Sequence, residues 1–219
     1  MLDTGSSWTW LVDHSYQGIC YPNRYECVQT DGCLRLNETK HLVYGKGEIW
    51  GDVALGRMCI DDLACVHDQY FFLVNREEDA GCIGDGLLGL GHAALMDDKP
   101  TLMDTLYEQG VITQRTFSLY FKSDFKNVGH GGELLIGGFH EHFSKNDFLF
   151  AEVQGDERWL VWMDKMRVGT GDNVIVQGQA VKALVDCGCS LMIIPEKMFQ
   201  PLARSIEKAM NLDDDNGFL

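Results

Sequence analysis

The sequence predicts a mainly β fold, and three observations carry that expectation. Twenty-four glycines and only four prolines punctuate 219 residues and divide the apolar residues into many short runs, the pattern of turns joining strands rather than of a helical bundle. An apolar content of 45% is enough for a packed core in one large domain or two smaller ones. One strand–turn–strand pattern also occurs twice. Met1-Leu2 leads into Asp3-Thr4-Gly5-Ser6-Ser7, and Ala183-Leu184-Val185 leads into Asp186-Cys187-Gly188-Cys189-Ser190, each copy followed by apolar residues. Asp and Gly mark turns everywhere, so one copy says little. Two copies in matching apolar frames predict that the two carboxylates meet.

Taken in order, residues 1–12 read as a strand, a sharp turn and a second strand. Residues 13–40 are polar and cysteine-bearing and predict an irregular, stapled surface loop. His41 to Gly51 alternates around Gly45-Lys46-Gly47, a hairpin whose tip needs glycine at positive φ. Residues 52–75 hold two further strands, the second ending in Tyr70-Phe71-Phe72-Leu73-Val74. Asp85 to Gly91 is a short apolar strand between glycines, a density that signals close backbone approach. Thr101 to Gln109 predicts a helix capped by Thr101, with Leu102, Met103, Leu106 and Tyr107 on its apolar face and Gly110 stopping it. Phe117–Phe121 and Glu133–Ile136 are strands. Residues 139–155 turn polar and charged, which places a lobe boundary there, giving lobes 1–148 and 149–219. His140, Glu141 and His142 are expected to be surface residues near this linker rather than metal ligands. Trp159–Met163 and Val174–Val176 restart β character. A second helix is expected from Pro201 to Met210, with Pro201 in its first turn and Leu202, Ile206, Ala209 and Met210 on one face. Asp213 to Asp215 would end it in solvent.

A net charge of −15 works against nucleic acid or an anionic membrane as partner, and its self-repulsion eases as carboxylates protonate, which suits an acidic compartment. No run approaches the length of a membrane span. The eight cysteines show no Cys-x-x-Cys pairs and no histidines at zinc-finger intervals. Disulfides that staple loops are therefore expected among Cys20, Cys27, Cys33, Cys59, Cys65 and Cys82, with connectivity open, and they imply a secretory or vesicular route. The sequon Asn37-Glu38-Thr39 points the same way. Met1 stands two residues before Asp3 with no basic or apolar leader, so the natural chain is expected to begin earlier.

Two carboxylates within hydrogen-bonding distance cannot both ionise easily, and one proton becomes shared. The ionised member can then take a proton from a bound water while the protonated one donates to a substrate carbonyl. Neither metal nor covalent intermediate is required.

With these motifs in order, the chain resembles the pepsin-like, cathepsin D-type aspartic endopeptidases over nearly its whole length. The resemblance implies a bilobal acid protease fold with catalytic Asp3 and Asp186, supported by Thr4, Gly5, Ser6, Cys187, Gly188 and Cys189. Tyr44-Gly45-Lys46-Gly47 looks like the family's flap, Tyr44 matching its tyrosine, and Trp10 resembles the tryptophan beneath it. Asp85 to Leu90 resembles the apolar-apolar-Gly segment that braces the first aspartate turn. The implied ligand is a peptide held extended in the cleft, with no cofactor and no metal. The protein is expected to be a monomer in a lysosomal, vacuolar or secreted setting.

Two departures bear on activity. The family carries a hydroxyl residue after each aspartate and another two places on; the second motif has Cys187 and Cys189, whose thiols are weak donors and acceptors. Family members also extend beyond both ends of this chain, so an incomplete second lobe is expected, with apolar residues around Trp159 and Ile193 short of cover. The alternative expectation is therefore a catalytically impaired homologue that binds peptide or protein without cleaving it.

Overall fold

In the computed structural model, which describes residues 1–60, 64–81, 84–121, 131–141, 143, 148–168 and 174–210, the run Phe71-Phe72-Leu73-Val74 is buried on both faces. Phe72 and Val74 join Trp8, Trp10, Ile49 and Val53 in one apolar cluster, while Phe71 and Leu73 join Ala54 and Cys33 in another. A strand with both faces covered reads as a continuous apolar run rather than an alternating one. That strand is the spine of a six-stranded sheet.

The sheet comprises β1 (Leu2–Asp3), β2 (Trp10–Val12), β3 (Leu34–Val43), β4 (Glu48–Ile60), β5 (Ala64–Glu78) and β6 (Gly86–Gly89), in the order β1-β6-β2-β5-β4-β3. Trp10, Leu11 and Val12 pair in parallel with Phe72, Leu73 and Val74. On the other side of β2, the short β6 runs antiparallel to it and parallel to β1, where Leu2 pairs with Leu88 and Asp3 with Gly89. β6 thus wedges the first aspartate turn against the core. Trp8 and Trp10 both belong to that core, at 3% and 1% exposure.

The β3–β4 hairpin forms where Gly45-Lys46-Gly47 predicts it. Tyr44 N–H donates to Gly47 O at 3.0 Å, and Gly47 adopts a φ of 78°. Two expectations around it need correction. The loop assigned to residues 13–40 ends at Cys33, because β3 begins at Leu34. Its sequence is charged because it is the sheet's edge, where polar side chains discourage further pairing. The hairpin's second strand also does not stop near Gly51 but runs on as one 13-residue β4 to Ile60, antiparallel to β5 along its length. Disulfides Cys27–Cys33 and Cys59–Cys65 staple the loop and the far end of this ladder. Cys20 is disulfide-bonded as well; Cys82 lies outside the described residues.

Helix α1 (Leu102–Glu108) starts at a full capping box. Thr101 Oγ1 accepts the Asp104 amide, and Asp104 accepts the Thr101 amide, satisfying two donors a helix start otherwise leaves open. Leu102 and Leu106 are buried with Val66 and Ile112. Tyr107, expected on that face, is instead 44% exposed beneath the Arg115 guanidinium, and Thr105 takes the buried position.

The rest of the chain adds two antiparallel ribbons and a helix. β7 (Phe117–Phe121) pairs with β8 (Gly132–Ile136), and β9 (Leu160–Arg167) pairs with β10 (Val174–Leu184). β10 extends eight residues past the predicted Val176. Helix α2 spans Glu196–Met210, so it begins five residues before Pro201, which sits inside it. The structural start is Pro195, whose carbonyl accepts the Met198 amide at 2.8 Å. A proline inside a helix forfeits a backbone hydrogen bond at a cost of about 3 kcal/mol. Met198 and Leu202, one turn apart and buried, offset that cost; Ile206 is partly exposed, and the side chains of Ala209 and Met210 lie outside those described. His130, His142, Lys145 to Asp147 and Asp213 to Asp215 also lie outside the described residues.

Leu191, Met192 and Ile193 are 78%, 71% and 84% exposed, and Leu149 and Phe150 are exposed too. The shortage of apolar cover expected around Ile193 is therefore visible, whereas Trp159, for which it was also expected, is packed by His92 and Phe117. Among the described residues no helix is long and apolar enough to cross a membrane.

Candidate active site

The two aspartate turns come together about an approximate two-fold relation. At the first, Gly5 N–H donates to Asp3 Oδ1 at 2.9 Å; at the second, Gly188 N–H donates to Asp186 Oδ1 at 2.8 Å. Each carboxylate lies over the glycine of the opposite turn. A Cβ on Gly5 would stand 2.4 Å from Asp186 Oδ2, and one on Gly188 would stand 2.3 Å from Asp3 Oδ1. Only a hydrogen fits there, so the Gly in each Asp-x-Gly sets how closely the turns approach.

The residues after each aspartate lock the turns to each other. Thr4 Oγ1 donates to Val185 O and accepts from Cys187 N–H, both at 2.9 Å. In the mirrored position Cys187 Sγ donates to Leu2 O at 3.4 Å. Leu2 precedes Asp3 as Val185 precedes Asp186, so the thiol occupies the place of the second hydroxyl and makes the same contact more weakly.

The mirror relation fails at the next position. Ser6 Oγ donates to Asp3 Oδ2, whereas Cys189 Sγ donates to Leu191 O at 3.0 Å. Asp3 therefore receives a backbone and a hydroxyl donor, and Asp186 a backbone donor. Cys187 and Cys189 are both free thiols.

Burial raises the Asp3 carboxyl above the usual carboxylate range. The Ser6 and Gly5 donors oppose that rise, and the neighbouring Asp186 carboxylate reinforces it. Tyr44, at the base of the hairpin tip, is also pushed up, first by burial and then by the negative charge of Asp3. The Trp10 indole and Ser6 hydroxyl lie close enough to pull the other way, yet Trp10 Nε1 finds no partner of normal hydrogen-bond geometry among the described residues. Asp3, Ser6, Tyr44 and Trp10 thus form one neighbourhood, with Gly45 on its open, exposed side.

The brace behind Asp3 follows from the glycine-rich β6. Leu90 N–H donates to Asp3 O at 2.7 Å, Gly91 N–H to Ser6 O at 2.8 Å, and Ser7 Oγ to His92 O at 2.6 Å. The residues that reading the sequence missed lie in the second half. Arg158 Nη1 donates to Gly5 O at 3.2 Å, and Trp159 Nε1 to Leu90 O at 2.8 Å. Their acceptors are backbone carbonyls, which leave no side-chain pattern to read; the only signal at Trp159 is that β character resumes there.

Chemically, the arrangement can hold one proton between two carboxylates and polarise a water placed across them. Among the described residues no group of three or more His, Cys, Asp or Glu side chains is disposed to hold a metal ion.

A family model described as eukaryotic aspartyl protease matches residues 1–216. The chain is 26% identical to pepsin B of Canis lupus familiaris over 212 residues, which cover 94% of this chain and 53% of that protein. It is 28% identical to napsin-A of Mus musculus over 216 residues, with 94% and 50% covered. It is 27% identical to cathepsin D of Clupea harengus over 214 residues, with 94% and 53% covered. The chain spans about half the length of the curated relatives it matches.

Proposed function

Because this chain belongs to the eukaryotic aspartyl protease family, we propose that it is the water-activating part of an endopeptidase that cuts peptide bonds at acidic pH. The observation that carries this reading is the facing of the two turns, each carboxylate over the other's glycine and each accepting the glycine N–H of its own turn. Asp3 and Asp186 share a proton and the attacking water between them. The ionised carboxylate takes a proton from the water as its oxygen attacks the scissile carbonyl carbon, and the protonated one donates to the carbonyl oxygen. Thr4 and Cys187 hold the turns in register, and Ser6 orients Asp3. Tyr44 and Gly45 close over an extended peptide, with Trp10 beneath. The raised Asp3 carboxyl keeps a proton in the pair at acidic pH and supports that operating range.

The same reading takes residues 1–148 and 149–219 as two lobes, the protein as a monomer, and its working place as a lysosome, vacuole or the secreted space. The disulfides favour an oxidising route. A second reading, a cleft that binds peptide without cutting it, draws on one observation: Cys189 turns to Leu191 O instead of Asp186.

The test is hydrolysis of an unstructured protein substrate between about pH 3 and 5, comparing the unaltered chain with Asp3→Asn. The expected loss is about a thousandfold or more in kcat. An unchanged rate in Asp3→Asn would sink the assignment.

A further inference from the structure

Trp159 bonds, through different atoms, to the segment that braces the first aspartate turn and to the residue that leads into the second. Its indole Nε1–H donates to Leu90 O at 2.8 Å. The peptide unit that owns this carbonyl ends in the Gly91 N–H, which donates to Ser6 O at 2.8 Å. One peptide group is therefore bonded at both ends, to Trp159 on one side and to the first turn on the other. Hydrogen bonds in such a chain polarise and strengthen one another. The backbone carbonyl of Trp159 accepts the Val185 N–H at 2.9 Å, and Val185 O is the acceptor of the Thr4 hydroxyl. Val185 immediately precedes Asp186.

The ring is itself fixed in place. His92 packs edge-on against it at 4.1 Å and Phe117 at 5.8 Å, and the His92 carbonyl accepts Ser7 Oγ from the first turn. The preceding residue adds a direct contact, Arg158 Nη1 to Gly5 O at 3.2 Å. Gly5 is the residue over which Asp186 lies. Arg158-Trp159 thus reaches the carbonyls of Gly5 and, through Leu90–Gly91, Ser6, while its own backbone anchors the segment that delivers Asp186.

We infer that Trp159 is a positioning residue, with Arg158 as its auxiliary, that sets the spacing of Asp3 and Asp186 by clamping both turns through one residue, its fixed ring on the side of the first and its backbone carbonyl on the side of the second. It touches neither carboxylate. Its effect would pass through two hydrogen bonds, from its indole N–H to Leu90 O and from Val185 N–H to its own backbone carbonyl, so a change at Trp159 alters where the carboxylates sit without altering what they are. The inference rests on reading Asp3 and Asp186 as the catalytic pair.

The experiment compares Trp159→Phe, which removes the indole donor and keeps an aromatic ring against His92, with the unaltered chain and with Trp162→Phe on the exposed face of the β9–β10 ribbon. For Trp159→Phe the expected outcome is a fall of about 10- to 100-fold in kcat, the scale of an ångström of misplacement, with KM within about threefold. The bell-shaped pH profile of kcat should also narrow, because carboxylates held further apart split their proton affinities less. Trp162→Phe should match the unaltered chain. A merely structural tryptophan would lower Tm and leave kcat per folded molecule and the width of the bell unchanged, and that result overturns the inference. Should Trp159→Phe fail to fold, Arg158→Met is expected to show the same narrowing with a smaller loss of roughly 3- to 10-fold, and a profile identical to the unaltered chain overturns the inference.

Amide hydrogen exchange supplies a readout independent of catalysis. In Trp159→Phe, or in Arg158→Met if that variant is the one that folds, Leu90, Gly91 and Val185 should exchange at least about tenfold faster, while amides of α1 keep their rates. If the unaltered chain cleaves nothing, or Asp3→Asn leaves cleavage intact, the catalytic reading falls and exchange alone judges the clamp. Unchanged exchange at those three amides then rejects it.

Discussion

Thr4 and Val185 are joined across the two turns by a 2.9 Å hydrogen bond, and the same Thr4 oxygen accepts the Cys187 amide at 2.9 Å. One side chain thus both gives and receives across the interface between the segments that carry Asp3 and Asp186. Thr4 is buried, so water cannot replace what it supplies.

Thr4→Ala leaves the Cys187 N–H and the Val185 C=O without their partner. Unsatisfied buried groups of this kind cost about 2 kcal/mol, or roughly 6 °C in Tm for a chain of this size. Differential scanning calorimetry at acidic pH checks this, and a Tm within a degree of the unaltered chain would show that the lock bears no load. Thr4→Ser keeps the hydroxyl and should recover most of the loss.

Cys189→Ser tests the broken symmetry. A hydroxyl at this position can swing to Asp186 as Ser6 does to Asp3, adding a donor to the carboxylate. A hydrogen bond to a charged group contributes about 1.5 kcal/mol, which corresponds to an increase of roughly tenfold in kcat. Steady-state kinetics on a peptide substrate measures it. If Cys189→Ser and Cys187→Thr together leave kcat where it was, the thiols do not limit the rate; if cleavage is seen only in the doubly substituted protein, the unaltered chain is a binder.

The raised Asp3 carboxyl gives a stability prediction. A carboxyl with a higher pKa in the folded state binds its proton more tightly there than in the unfolded chain. Its contribution is fully present below the unfolded value and is lost as pH rises through the raised folded value. Burial, the largest cause of the rise, makes ionised Asp3 a cost near neutrality. Asp3→Asn should therefore have a higher Tm than the unaltered chain at pH 7, by an amount that shrinks as pH falls through the carboxylate range. A Tm difference independent of pH would mean that Asp3 is not raised.

Much of the frame is legible because local chemistry and tertiary packing agree. Thr101 and Asp104 announce a helix start by themselves, and Gly45-Lys46-Gly47 announces a hairpin tip. The misread stretches are those where the tertiary setting overrides the local signal. β3 is polar because it is an edge, so Leu34 to Lys40 look like loop. Pro201 looks like a helix start because proline favours first turns, yet the burial of Met198 draws the helix back to Pro195. At the candidate site, the structure brings together Asp3, Thr4, Ser6, Asp186 and Tyr44, side chains whose chemistry a sequence displays. Arg158 and Trp159 were not, since both grip carbonyl oxygens that every residue possesses. Nor could sequence tell that Cys187 would keep a mirrored contact while Cys189 would not.

The close approach of Gly5 to Asp186 and of Gly188 to Asp3 also governs which sequences the fold can accept. Each glycine is hemmed in by a carboxylate that belongs to the other turn, so the two positions answer to one constraint although 183 residues separate them. Exposed side chains far from the turns can be exchanged singly and judged singly. These two cannot: enlarging either one pries apart both turns at once, and a second change at the other position would find the contact already gone. In a saturation library the pair would therefore behave as a single locus, with matching intolerance and almost no further penalty when both are hit.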